Sequence, residues 1–475
     1  MKPSSMQRRE FLKSAVAAPV AAGLAGAAPA RPNILFMIAD DLTFRGINAM
    51  GNPEVHTPNL DRLVKQGVSF THCFQQGSWL PAVCVASRSM LNSGLTCFRA
   101  QKHIEETALW AETFGKNGYD TCIVGKWHLS KSNLDRSFKQ QGKVSGGMFE
   151  SGPEAYDRPK PGNTWTPWDT SLKGQWLHTK QWQDAAQDSI KHSAQVWSEG
   201  AVDRLQALAK QDTPFLLYVG FNSPHDPRQA PKEFVDRYPA KRVEVPANYL
   251  PEHPFDQGDH KVRDELLAPF PRTREAVQVH RSEYFAHITY MDEQIGHILD
   301  ALEASGKASN THIIFTADHG LAVGQHGLMG KQNLYDHSVR IPLIVTGPGV
   351  PAGKRVDQMV YQHSVFATAC ELSGVAAPKS IEFPSLADLV HGKGSQKHDA
   401  MFCFYRDFQR SVRTGEHKLI VYPQAKQTQV FDIQKDPWEV HNLADDPKHA
   451  ALRRDLEGRL KKMQKELDDP LLGAA

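Results

Sequence analysis

Asp40, Asp41, Lys126, His128, His225, Asp318 and His319 all stand at the ends of apolar runs: NILFMIADD (33–41), TCIVGKWHL (121–129), PFLLYVGFNSPH (214–225) and THIIFTADHG (311–320). The three aspartates are hard oxygen donors, which suit calcium or magnesium better than zinc. Lys126, with Arg88 and Lys331 from elsewhere in the chain, offers cations that neutralise a tetrahedral oxyanion, and His128 and His225 exchange protons near neutral pH. Carboxylates for a metal, fixed cations and imidazoles are together the equipment for hydrolysing a sulfate or phosphate ester. One aspartate after a strand is ordinarily a turn former or a helix cap. Four strand ends with complementary chemistry point instead to a shared site.

The elements that must position these groups follow from the same runs. A continuous apolar stretch stopped by charges is the pattern of a strand buried on both faces of a parallel sheet. Helical stretches such as TPNLDRLVKQG and RSEYFAHITYMDEQIGHILDALEASG lie between them. In open α/β sheets ligands bind outside the carboxyl ends of the strands, so the seven residues are expected to converge there.

Cys84 stands in VCVASRSML (83–91) and by itself has four readings: core thiol, disulfide partner, nucleophile, or precursor of another group. The six cysteines are too scattered for a disulfide framework, and no CxxC pair points to zinc. The longer stretch VCVASRSMLNSG resembles the signature of the formylglycine-dependent sulfatases. There a cysteine in C-x-[PA]-S-R, followed by a hydrophobic stretch and [ST]-G, is oxidised to an aldehyde; the matching positions are Cys84, Ala86, Ser87, Arg88, Leu91, Ser93 and Gly94. A lone CxASR is a weak motif. The rest of the family pattern follows in order: GYDTCIVGKWHL with Lys126 and His128, PFLLYVGFNSPHDP with His225, TADHG with Asp318 and His319, and GLMGKQNLYDHSVRIPLIVTGPG with Lys331. The similarity runs from about Arg31 to the VFDIQKDPWEVHNLADDP tail. Ala86 stands in for the commoner proline, Asn92 where leucine is usual, and His319 where asparagine is frequent. QHSVFAT (362–368) occupies a helix start that is often Asp-x-x-Pro-Thr, with Ser364 expected to cap it.

The resemblance implies an alkaline-phosphatase-like fold and a set of roles. Asp40, Asp41, Asp318 and His319 would hold calcium, or magnesium, together with the modified Cys84. Arg88 and Lys126 would orient and neutralise the formylglycine and the sulfate. His128 would take the proton of the remaining hydroxyl during sulfate release, while His225 and Lys331 would grip the sulfate and protonate the leaving oxygen. A hydrated aldehyde has two geminal hydroxyls: one attacks sulfur and releases the alcohol, and the other re-forms the carbonyl as sulfate departs, so sulfur is attacked only once. A helix expected to begin near Ser87 would aim its N–H groups at the anion. The implied partners are a formylglycine-generating maturation enzyme and a sulfated small molecule or glycan. An aryl or choline sulfatase and a phosphonate or phosphate ester hydrolase of the same superfamily are the alternatives. A non-catalytic sulfate-binding relative would need an unmodified Cys84 or a broken metal set.

The fold class expected is α/β: a large mixed, mostly parallel sheet flanked by helices, with a smaller C-terminal antiparallel sheet plus helix. Within the 475 residues, 1–30 carry Arg8, Arg9, Phe11, Leu12 and Lys13 before an Ala/Gly/Val run ending in Ala-Pro-Ala, which reads as a twin-arginine export signal and places the protein in the periplasm or outside the cell. Residues 31–375 are expected to form the catalytic domain and 376–475 the C-terminal subdomain, closed by a helix with Leu452, Leu456, Leu460, Met463 and Leu467 on its packing face. The formal net charge is +2; losing the leader, with four basic residues and one acidic, leaves −1, which excludes the electrostatic footprint of a nucleic-acid binder. An insert between the Lys126 and His225 strands holds Trp165 and Trp168 among Pro, Gly and Asn, candidates for a substrate surface. Trp197, on a regular helical stretch, is expected in the core. A second insert, 239–275, is rich in proline and charge and is expected to wall the other side.

Overall fold

The computed structural model describes residues 31–147, 183–184 and 189–472, apart from Pro227, Gln229, Pro269, Gln396 and Lys397. The leader and Trp165 and Trp168 lie outside these residues. In chain order the strands are β1 (Asn33–Ala39), β2 (Val68–Phe74), β3 (Gly77–Ser78), β4 (Asp120–Lys126), β5 (Gln140–Ser145), the short pair β6 (Gln183–Asp184) and β7 (Ser189–Ile190), β8 (Phe215–Gly220), β9 (Thr311–Ala317), β10 (Arg340–Thr346) and β11 (Lys354–Tyr361). Eight of them form one sheet in the order β11-β2-β10-β9-β1-β8-β4-β5. Its pairs are parallel except where β10 meets β2 and β9.

The four apolar runs of the sequence are the adjacent central strands β9, β1, β8 and β4. Every residue of β1 and β8 is buried, as strands covered on both faces must be. Fully burying one such Ile or Leu side chain is worth about 1.5–3 kcal/mol. The helices Pro58–Gln66 and Ser193–Leu208 pack on the long helix Arg274–Ala304, and Trp110–Lys116 and Val365–Leu372 pack on Val83–Ser93. Trp197 is buried, its Nε1 donating to Asn222 Oδ1 at 3.0 Å.

The C-terminal strands β12 (Met401–Tyr405), β13 (Gln409–Arg413), β14 (His417–Tyr422) and β15 (Gln427–Asp432) form an antiparallel sheet, to which β3 adds a parallel edge. Its closing helix, Ala450–Glu466, buries Leu456 and Leu460, with Leu452, Met463 and Leu467 packed against the same cluster. The six cysteines are all free and buried.

Two local expectations need correction. The helix expected from about Ser87 begins at Val83, after Pro81 and the N-cap Ala82, so Cys84 sits in its first turn. Ser364 precedes the helix Val365–Leu372, but its hydroxyl makes no capping bond and has no partner among the described residues. The 3-10 turn Gln362–Ser364 runs straight into that helix, giving Ser364 φ −64° and ψ −14°, not the extended backbone that a capping side chain needs.

Candidate active site

Backbone pairing continues past the strand ends: Asp40 N donates to Ser223 O at 3.0 Å, and Asp318 N to Ala39 O at 3.1 Å. Asp41 N donates to Asp318 Oδ1 at 3.2 Å, so the three aspartates share one floor. Asp41 and His128 both take φ 65°, a left-handed backbone that costs a non-glycine residue about 1–2 kcal/mol and turns the side chain away from the line of its strand. Beneath His128, a Cβ on Gly125 would fall 2.0 Å from the Gly220 carbonyl oxygen; only glycine lets β4 and β8 close up there.

Each carboxylate has a cation. Asp40 pairs with Lys126; Asp41 accepts from Lys331 Nζ at 2.8 and 2.9 Å; Asp318 accepts from Arg88 Nε at 2.8 Å. Arg88 is fully buried and also donates to the Lys126 carbonyl at 2.8 Å, which makes it a strut under the site. Cys84 Sγ lies 3.0 Å from His128 Nδ1 and 3.8 Å from Lys126 Nζ. His225 Nδ1 donates to the Asp226 carbonyl at 2.6 Å, which leaves Nε2 facing inward, 3.7 Å from Asp41 Oδ2.

Burial, partly offset by Lys126 and Lys331, pushes the Cys84 thiol up to about 11. Burial raises the Asp41 carboxyl to about 6 against the pull of Lys331. At Asp40 the same burial is outweighed by Lys126, then His225, Lys331 and Arg88, and the carboxyl falls below its usual range. Burial, then Lys126, lowers His128, so its imidazole is neutral.

The donor set fits a hard divalent cation. Ligand atoms of Asp40, Cys84 and Asp318 lie within 4.8 Å of one another, as do those of Asp40, Asp41 and His225. Among the described residues the buried Asp40 Oδ1 has no hydrogen-bond partner, an orphan that an oxygen-seeking ion would satisfy. Asp40, Asp41 and Asp318 would hold the ion. His319 belongs to neither cluster; it is buried with Nδ1 donating to the Gly320 carbonyl at 2.8 Å, and burial lowers its imidazole to about 3.

Above this floor is a cavity of about 390 Å³ lined by Cys84, Lys126, His128, His225 and Lys331. Pro81 and Ala82 wall one side and Val262, Arg263 and Asp264 of the second insert another; Gly147, next to the tryptophan-bearing insert, also lines it. The sequence reading missed what holds Lys331. Glu265 accepts from the backbone N–H groups of Met329 and Gly330 at 2.9 and 2.8 Å and from Arg272 at 2.6 Å, while Asp264 accepts from Gln332 Nε2 at 2.9 Å. Tyr284 Oη likewise braces the loop after β1, donating to the Asp41 carbonyl at 2.7 Å and accepting from Thr43 N at 3.1 Å. At the atypical helix start, Gln362 accepts from Ser87 Oγ at 3.1 Å and ties the Cys84 helix to β9 through the Ala317 carbonyl.

Glu265→Gln is expected to cost about 3–5 kcal/mol, because it strips the charge from a pair whose side chains are 1% exposed or less and sets an amide N–H against a backbone donor. A urea melt checks the stability, and inorganic sulfate should also inhibit the variant more weakly as the Lys331 loop loosens. A normal midpoint with unchanged sulfate inhibition would show that the clamp is idle.

Such a floor of paired carboxylates and cations at the carboxyl ends of a mostly parallel sheet defines a hydrolase site for oxyanion esters. The sulfatase family profile matches residues 32–375, and that for the C-terminal part of N-sulphoglucosamine sulphohydrolase matches 324–466. The chain therefore belongs to the sulfatase family, and it is an enzyme of the sulfuric ester hydrolase class. It is 27% identical to an ulvan-active sulfatase of Formosa agariphila, over 93% of this chain and 82% of that one, and 25% identical to an arylsulfatase of Clostridium perfringens, over 90% and 95%. A solved structure in complex with its substrate D-glucosamine-2-N,6-O-disulfate superposes with a TM-score of 0.73 at 20% identity, covering 93% of this chain and 99% of that one.

Proposed function

We propose that the protein hydrolyses a sulfate ester on a carbohydrate, with residue 84 in its formylglycine form and calcium held by Asp40, Asp41 and Asp318. The position of Cys84 carries this reading: its sulfur lies on the cavity floor, 3.0 Å from a proton acceptor and 3.8 Å from an ammonium group. With its thiol pushed up to about 11, the unmodified residue would be almost wholly protonated at neutral pH and a poor nucleophile. The bound cation would supply positive charge where oxygens gather. His128 Nδ1 would receive the hydroxyl proton from residue 84 as sulfate departs. Lys126 and Lys331, both buried, would counter the sulfate charge, and His225 Nε2 would face the leaving oxygen. The carbohydrate assignment is supported by the ulvan-active relative and by the sugar sulfate in the superposed structure.

The test is sulfate release by protein made together with a maturation enzyme, on a sulfated hexosamine, an aryl sulfate, choline sulfate and a phosphonate monoester. The sugar sulfate should be turned over with the highest kcat/KM, and peptide mass spectrometry should find an aldehyde at residue 84. Choline sulfate or the phosphonate as the best substrate by a wide margin would refute the assignment.

A further inference from the structure

We propose that Arg263 and Asp264, both lining the cavity, read hydroxyl groups beside the sulfate-bearing carbon of a sugar sulfate; this rests on the carbohydrate-sulfatase reading above. With sulfate bound at residue 84, the alcohol half of the ester lies between Pro81–Ala82 and Val262–Asp264, which line the same cavity. Pro81, Ala82 and Val262 offer C–H surface, and Arg263, Asp264 and Gln332 offer polar groups. Arg263 Nη2 lies 2.7 Å from Asp264 Oδ1 and 3.2 Å from the Asp226 carboxylate. The Arg263 side chain is 46% exposed, whereas those of Asp264 and Asp226 are 7% and 3% exposed, so a solvent-facing guanidinium is fixed from below by two buried carboxylates. Little rotamer freedom is left for it to lose when a substrate binds.

A guanidinium donates and a carboxylate accepts, so the adjacent pair complements hydroxyls, each of which does both. An aryl sulfate has no hydroxyl to offer and forfeits these bonds.

The experiment compares aldehyde-bearing wild type, Arg263→Met and Arg263→Lys on galactose 3-sulfate, whose sulfate-bearing carbon is flanked by two hydroxyl-bearing carbons, and on 4-nitrophenyl sulfate, which has no hydroxyl. Arg263→Met should lower kcat/KM on the monosulfated sugar about tenfold more than on the aryl sulfate, mainly through KM, with Arg263→Lys in between. Equal fractional losses on both substrates would overturn the proposal. If wild type releases sulfate from the aryl ester but not from the sugar, the carbohydrate reading itself fails, and this shows before any variant is compared.

Discussion

Cys84→Ala is expected to lower kcat for sulfate release by roughly 10⁴-fold or more while the protein still folds. The sulfur is 3.0 Å from His128 Nδ1 at the bottom of a cavity of about 390 Å³, so truncation removes the reacting atom and opens no sealed void. No buried charge loses its partner, because Lys126 remains on Asp40 and Lys331 on Asp41. Stability should therefore stay within about 1 kcal/mol of wild type, as for substitutions that trigger none of the severe mechanisms. Sulfate release and a thermal melt on the same preparation check both halves. A variant with more than a few per cent of wild-type turnover would show that residue 84 is not the nucleophile's position.

The centre of the fold was legible because four apolar runs, each ending in ionisable groups, leave few alternatives to neighbouring buried strands, and β9, β1, β8 and β4 are such neighbours. The edge was not. β5, QQGKVS, is largely polar, half-exposed and alternating, with no apolar run to announce it. The convergence of Asp40, Asp41, Lys126, His128, His225 and Asp318 was legible for the same reason, while their supports were hidden by distance along the chain. Glu265 reaches Met329 and Gly330 across 64 and 65 residues, and Asp264 reaches Gln332 across 68. Neighbouring acids in an insert look like a solvated loop until the chain folds back on them. The helix start was misplaced because Ser87 looks like a cap, whereas Pro81 and the turn at Ala82 had already set it.

Calcium is expected to raise the thermal midpoint of the wild-type protein and to leave that of Asp318→Asn nearly unmoved, with activity of the variant reduced about 10³-fold or more. An ion that binds only the folded state stabilises it by about 2.7 kcal/mol at a hundred times its dissociation constant. The gain must be net of competition, since Lys126 and Lys331 already neutralise Asp40 and Asp41. Asparagine at 318 keeps an acceptor for Arg88 but removes a carboxylate from the cluster with Asp40 and Cys84. It also leaves a guanidinium of 0% exposure without its counter-charge. Losing a buried partner outright costs about 3–5 kcal/mol, and the retained hydrogen bond should hold the variant nearer the low end. The lowered midpoint without calcium and the missing response to calcium are separate signatures, one from Arg88 and one from the ion. Magnesium should give the smaller shift, because it demands strict octahedral geometry and sheds water reluctantly, whereas calcium accepts irregular oxygen sets. Equal responses of wild type and Asp318→Asn to calcium would remove Asp318 from the metal site. A wild type indifferent to calcium, and fully active after dialysis against chelator with no metal found by elemental analysis, would remove the metal.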